Sequence, residues 1–229
     1  VPHIGHSYTQ IAADTLARFY RMKGFDVYFL TGTDEHGEKI EESTIKDGFK
    51  KGEEKQFVDK ILPRFKKLWE DLNISYDYFI RTTDQDHEYA VKEILNVLFK
   101  KGDIYKGHYT GWFCKPCEGF FADLEVKDGI CPDCKRILEK IDEENYFFKL
   151  SSYKEWLVKY IEENKEFIAP DTRRNEILGF LKNPLNDLCI SRPKERLSWG
   201  IDLPFDKNYV VYVWFDALIN YISGIGYLK

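Results

Sequence analysis

The sequence predicts an α/β fold, an open parallel sheet flanked by helices and interrupted by a smaller cysteine-bearing insert. Three observations carry this. Over residues 1–101, short β-rich runs alternate with helical periods. After Gly102 the texture changes to a Tyr- and Gly-rich stretch holding two C-x-x-C pairs. An apolar run at 209–215, followed by helical spacing, then resumes the first pattern. A chain of 229 residues with 43% hydrophobic and 16% aromatic content has enough material to bury a core.

Each element has a local reason. Residues 7–23 place Ile11, Ala12, Leu16, Ala17, Phe19 and Tyr20 at helical spacing, with Gly24 as a stop. Residues 26–30 form a short β-rich run that breaks at Thr31-Gly32 and reads as a buried parallel strand. Residues 38–46 are helical and polar, ended by Gly48. Residues 57–72 form a further amphipathic helix that Pro63 must kink or divide. A strand is predicted at 78–81 and a helix at 86–101, with Val91, Ile94, Leu95, Leu98 and Phe99 on one face. Strand character returns over 104–113; the cysteine pairs follow, then Tyr146-Phe147-Phe148, helices near 153–163 and 174–181, and a buried strand at 209–215. The expected division is 1–101 for the first part of the sheet domain, 102–205 for the insert with its knuckle around 112–136, and 206–229 for the start of the sheet's second half.

Composition narrows the function. A net charge of −5 and a pI near 5.7 argue against a general nucleic-acid binder. The longest apolar run is too short to span a bilayer, and no signal segment opens the chain, so a cytoplasmic protein without a membrane partner is expected. The chain starts Val1-Pro2-His3 in what reads as the middle of a strand–loop–helix unit, so residues are expected to precede it.

The cysteines are the strongest motif. Cys114-x-x-Cys117 and Cys131-x-x-Cys134 lie thirteen residues apart, with Pro116, Gly119, Gly129 and Pro132 supplying turns. Each pair forms a knuckle that aims two thiolates at one ion. Four thiolates favour tetrahedral Zn²⁺ in a closed site that folds the insert and has no open position for chemistry. The fifth cysteine, Cys189, reads as buried packing.

His3-Ile4-Gly5-His6 stands just before the first helix. Gly5 allows close approach of a ligand to the backbone, and the helix N-terminus suits phosphate. The two imidazoles can stabilise charge growing on phosphate oxygens. Read alone, the motif also allows turn histidines without a ligand, or a metal site.

In order along the chain, Pro2-His3-Ile4-Gly5-His6, Thr31-Gly32-Thr33-Asp34-Glu35-His36-Gly37, Cys189-Ile190-Ser191-Arg192, Ser198-Trp199-Gly200 and Val213-Trp214-Phe215-Asp216-Ala217-Leu218 to Tyr221 resemble the signatures of class I aminoacyl-tRNA synthetases, in the form found in methionyl enzymes. The resemblance implies a Rossmann-like parallel sheet, incomplete here, with an inserted zinc-knuckle connective domain. It implies ATP binding by His3, Gly5 and His6, with His3 and His6 catalytic through charge stabilisation. Asp34 would hold the α-amino group of methionine, and Trp214, Ala217, Leu218 and Tyr221 would line an aromatic slot for its thioether. Mg²⁺ would accompany ATP, and tRNA would be the acceptor.

Other readings of these residues stay open. Asp34 or Glu35 can cap the next helix, and the Trp214–Tyr221 stripe can be plain core. His36 is a substrate contact or a structural hydrogen bond, and Arg192 an anion contact or a structural ion pair. Since Met22 is the single methionine, the family's Lys-Met-Ser-Lys-Ser loop lies outside these residues, and the chain alone is expected to be inactive. Rival assignments are a class I synthetase for an aliphatic amino acid or cysteine, a small adenylyltransferase sharing H-x-G-H, and a non-catalytic zinc-bearing interaction module.

Overall fold

A computed structural model describes residues 2–117, 119–121 and 125–227. In chain order it comprises α1 (Ile4–Met22), β1 (Leu30–Thr33), α2 (Glu38–Lys46), α3 (Glu54–Asp71), β2 (Tyr78–Arg81), α4 (Gln85–Lys101), β3 (Ile104–Cys114), β4 (Gly119–Phe121), β5 (Glu139–Phe148), α5 (Lys154–Glu163), α6 (Asp171–Phe180), β6 (Leu188–Cys189), β7 (Ser191–Pro193), β8 (Asp202–Leu203), β9 (Asp206–Val211) and α7 (Val213–Ser223). A 3₁₀ turn, Leu150–Tyr153, leads into α5. The predicted α/β class holds.

β1 and β2 pair in parallel, Leu30 opposite Tyr78 through Thr33 opposite Arg81. The strand therefore lies later than the predicted 26–30, and Gly32 is inside it. The glycine marks close backbone approach: a Cβ there would sit 2.1 Å from the Ile80 carbonyl oxygen. A cluster of Ala17, Phe29, Trp69 and Ile74 packs α1 and α3 against this pair. Asp14 of α1 reinforces the packing by accepting from the Ser75 backbone N–H at 2.7 Å.

α3 runs unbroken through Pro63, so the proline does not divide it. α4 stops where expected, at Gly102 in the left-handed region with φ 80°.

The insert is a long antiparallel hairpin, β3 with β5, flanked by β4 and β6 in the order β4-β3-β5-β6. Cys114, Cys131 and Leu138 form a small separate core at its tip. At its base lies the largest core, which combines Val91 and Leu95 of α4 with Ile104, Tyr146, Ile190, Leu203, Val211 and Ile219.

The predicted strand at 209–215 divides. Residues 206–211 form β9, and Val213 already begins α7. β9 pairs antiparallel with β7 and β8, so the last strand joins a sheet with residues 191–203. A seven-residue apolar run satisfies strand burial and helix burial equally well on paper, and pairing to β7 decides where one ends. Among the described residues, no helix is long and apolar enough to cross a membrane.

Candidate functional site

The helix α1 starts earlier than its periodicity indicates, because two imidazoles cap it. His3 is the N-cap, and its Nδ1 accepts from the Gly5 backbone N–H at 3.1 Å. His6, in the first turn, accepts from the His3 backbone N–H through Nδ1, also at 3.1 Å. The pair occupies the role a Ser and a Glu usually share in a capping box. With each Nδ1 accepting, each neutral ring must carry its proton on Nε2. Both histidines therefore offer an N–H donor away from the backbone. Burial, followed by the adjacent His3 imidazole, pushes His6 below the ordinary histidine range, which favours that neutral donor at pH 7. The rings lie 3.9 Å apart between centroids.

His6 and Asp34 face one cavity of about 370 Å³, which also borders Gly32, Thr33, Ile40 and Phe65. It lies at the C-terminal end of β1, where open α/β sheets bind ligands. Asp34 keeps contact with solvent, and Asn220 donates to its Oδ1 at 3.1 Å. Crowding by protein, then the nearby carboxylate of Asp216, raises Asp34 above the usual aspartate value. Such a carboxylate is short of cationic partners and suited to an ammonium group.

Its neighbour is committed elsewhere. Glu35 is buried, accepting from Arg81 Nε at 2.8 Å, Thr33 Oγ1 at 2.8 Å and Thr83 Oγ1 at 2.5 Å. The Trp199 indole donates to the Glu35 carbonyl at 2.5 Å. Neither Asp34 nor Glu35 caps α2. The N-cap is Gly37, whose φ of 104° excludes most side chains.

His36 is buried and hydrogen-bonded through Nδ1 to Asp216 Oδ2 at 2.7 Å, out of the cavity. Asp216 is itself 1% exposed and takes a second imidazole, His87 Nε2, on Oδ1 at 2.6 Å. His87 Nδ1 then meets Ser223 Oγ at 2.8 Å. Burial works to raise Asp216, yet the hydrogen bonds from His36 and His87 outweigh it and hold the carboxyl below its ordinary value. Two imidazole N–H groups donating to one carboxylate satisfy a charge that would otherwise be prohibitive to bury.

Arg192 is also buried. Its Nη1 donates to the Ser191 carbonyl at 2.6 Å, and its guanidinium lies 4.0 Å from the Tyr212 ring centroid. Arg192 Nη1 also reaches Cys189 Sγ at 3.5 Å, inside the core expected for that cysteine.

Trp214, Leu218 and Tyr221 project from α7 with 54%, 62% and 71% exposure, and Ala217 between them is partly covered. They share a face, as their spacing predicts, but they do not border the cavity that holds His6 and Asp34. α7 is linked to that cavity through Asn220.

Sequence reasoning missed His87, Asp216 and Asn220 as parts of this site. His87 carries a signal: with Val91 and Leu95 it lies on the buried face of α4 at i, i+4 and i+8.

Cys114, Cys117, Cys131 and Cys134 converge, their four sulfurs within 4.8 Å of one another. Cys114 and Cys134 stand 3.4 Å apart, Cys117 and Cys131 3.9 Å. A tetrahedral ion bound at about 2.3 Å to each sulfur needs separations of about 3.8 Å, so the set fits a metal ion. The Arg136 backbone N–H lowers the Cys134 thiol to about 7. Burial raises Cys114.

Comparison with known proteins places the chain in a family. The sequence model of the tRNA synthetases class I (M) matches residues 1–142 and 138–229. A methionine–tRNA ligase of Caldanaerobacter subterraneus is 52% identical over 226 residues, covering 99% of this chain and 35% of its own length. That of Thermotoga maritima is 49% identical over 230 residues, covering 99% of this chain and 36% of its own length. Among solved structures, Mycobacterium tuberculosis methionyl-tRNA synthetase bound by methionyl-adenylate superposes with a TM-score of 0.90 at 41% identity, covering 100% of this chain and 45% of that one. The chain spans about a third of the length of the curated relatives it matches. It belongs to the class I (M) family of tRNA synthetases, the methionyl enzymes.

Proposed function

We propose that the full-length protein is a methionine–tRNA ligase of the cytoplasm, and that residues 1–229 carry its amino-acid activation cleft. The observation that carries this is the shared cavity of His6 and Asp34 at the end of β1, beside the capped start of α1. The domain division 1–101, 102–205 and 206–229 is part of the same reading.

In this chemistry the carboxylate of methionine attacks the α-phosphate of ATP, forming the acyl-phosphate bond while pyrophosphate leaves. A 3′-terminal hydroxyl of tRNA then attacks the acyl carbon, and AMP leaves. The Nε2–H groups of His3 and His6 supply donors to phosphate oxygens, where negative charge gathers as the α-phosphate is attacked. Gly5 lets the nucleotide approach the helix start closely, since even a Cβ at that position would stand 2.9 Å from the His3 ring. Asp34 pairs with the methionine ammonium. Trp214, Ala217, Leu218 and Tyr221 offer the thioether a polarisable aromatic surface on α7, the helix that meets Asp34 through Asn220. Mg²⁺ accompanies ATP, and a structural Zn²⁺ is the ion best suited to the four cysteines. Bound there, it would hold the tip of the insert in shape. His36 and Arg192 are assigned to support, His36 through Asp216 and Arg192 through its backbone and ring contacts.

ATP–pyrophosphate exchange by the full-length protein, run with each of the twenty amino acids, tests the assignment. Exchange that depends on methionine is expected. Exchange driven instead by isoleucine, valine, leucine or cysteine would replace methionine with that amino acid.

A further inference from the structure

Asn220 lies one turn beyond Asp216 on α7, and its side-chain N–H donates to Asp34 Oδ1 at 3.1 Å. The other end of the same amide, Asn220 Oδ1, is buried and has no hydrogen-bond partner among the described residues. An amide left half-satisfied away from water is a poor choice for stability alone. What this position retains by being asparagine is the bond to Asp34.

The helix around Asn220 is pinned on both sides. Four residues earlier, Asp216 is held by His36 and His87. Three residues later, Ser223 meets His87 at 2.8 Å. Just beyond the helix, the Tyr28 hydroxyl donates to the Gly224 carbonyl at 3.0 Å. Gly224 is packed so closely on β1 that a Cβ would lie 2.6 Å from Leu30 Cδ2. The amide of Asn220 is therefore delivered to Asp34 by a rigid frame.

We propose that Asn220 is a positioning residue for amino-group recognition: its N–H engages one oxygen of Asp34 and leaves the other for the substrate ammonium. This deepens the ligase assignment and rests on it. The bond also bears on the charge of Asp34. The carboxylates of Asp216 on α7 and of the adjacent Glu35 favour the protonated form, while His87 on α4 and the Asn220 N–H favour the ionised one. Removing that N–H shifts the balance toward protonation, so the acid limb of methionine use moves to higher pH.

The test uses the full-length ligase with Asn220→Ala, Asn220→Leu (similar shape, uncharged, no N–H) and Asn220→Ser (a hydroxyl donor retained). Pyrophosphate exchange is measured against methionine, ATP and pH. Inhibition is measured with 4-(methylthio)butanoate, which lacks the amine. For Asn220→Ala and Asn220→Leu, the methionine KM is expected to rise about tenfold, equivalent to about 1.4 kcal/mol. The ATP KM and the inhibition constant of the amine-less analogue are expected to stay within about twofold. The acid limb of kcat/KM for methionine moves up in pH, and Asn220→Ser recovers part of both effects. An unchanged methionine KM, an equal loss for the amine-less analogue, or an unmoved acid limb would overturn the proposal. If the alanine variant does not fold, the leucine variant, close to asparagine in size, carries the same readouts. A wild-type enzyme without methionine-dependent exchange would instead overturn the ligase assignment.

Discussion

Replacing Asp216 with alanine should be among the most damaging single changes in this chain. Asp216 is 1% exposed, and its two oxygens take N–H donors from His36 at 2.7 Å and His87 at 2.6 Å. Truncation strips two buried imidazoles of their acceptor at once. Breaking a buried, hydrogen-bonded charge by removing one partner destabilises by about 3–5 kcal/mol. For a chain of this size each kcal/mol lowers the melting temperature by about 2–4 °C, so a fall of about 6–20 °C is expected. Asp216→Asn should lose less, about 1–3 kcal/mol. Its amide can still accept from one histidine, while the other must adopt the opposite tautomer to receive the amide N–H. Urea unfolding of the wild-type and variant chains, followed by tryptophan fluorescence, measures the difference.

The pH dependence has a definite sign. The folded carboxyl of Asp216 is held below its ordinary value, so its contribution is present above the unfolded pKa. That contribution is lost as pH falls through the folded one, and the gap between wild type and Asp216→Ala should close in acid. An alanine variant within about 1 kcal/mol of wild type at pH 7 would refute the reasoning, since no buried carboxylate holding two hydrogen bonds of this kind should be removable so cheaply.

The remaining tests address the other parts of the site. Cys114→Ser should abolish stoichiometric metal in the purified protein, read by mass spectrometry of bound ions, and loosen the tip of the β3–β5 hairpin toward proteolysis. Gly32→Ala should destabilise by about 3 kcal/mol or more in urea unfolding, because the new Cβ would sit 2.1 Å from the Ile80 carbonyl oxygen within the parallel pair. In the full-length protein, His6→Ala should slow adenylate formation by about two to three orders of magnitude while changing methionine binding by less than about threefold; equal effects on both would remove His6 from the chemistry.

The features legible without coordinates were those with local causes. Two C-x-x-C pairs announce four converging sulfurs, since a knuckle is built from a few turn residues. The helical periods of α2 and α4 and the short strand β2 were read at or within a residue of their observed limits, because their burial patterns are local. The start of α1 was misjudged by three residues. Histidines are unusual caps, and only their hydrogen bonds to Gly5 and His3 reveal that they nucleate the first turn. Asp34 was singled out by position after a strand; it directly follows β1 and borders the same cavity as His6.

By itself, then, the order of residues determined the α/β class, the strand that leads into the first cysteine pair, the cysteine cluster and the two polar groups that meet at the end of β1. Tertiary structure alone decided how those groups are held. His36 and Asp216 are 180 residues apart in the chain, His87 and Asp216 129, and Asp34 and Asn220 186. A spacing motif reports what one turn or one helix face can reach. It carries no information on which side chains are brought together when three separate elements pack around a single buried charge.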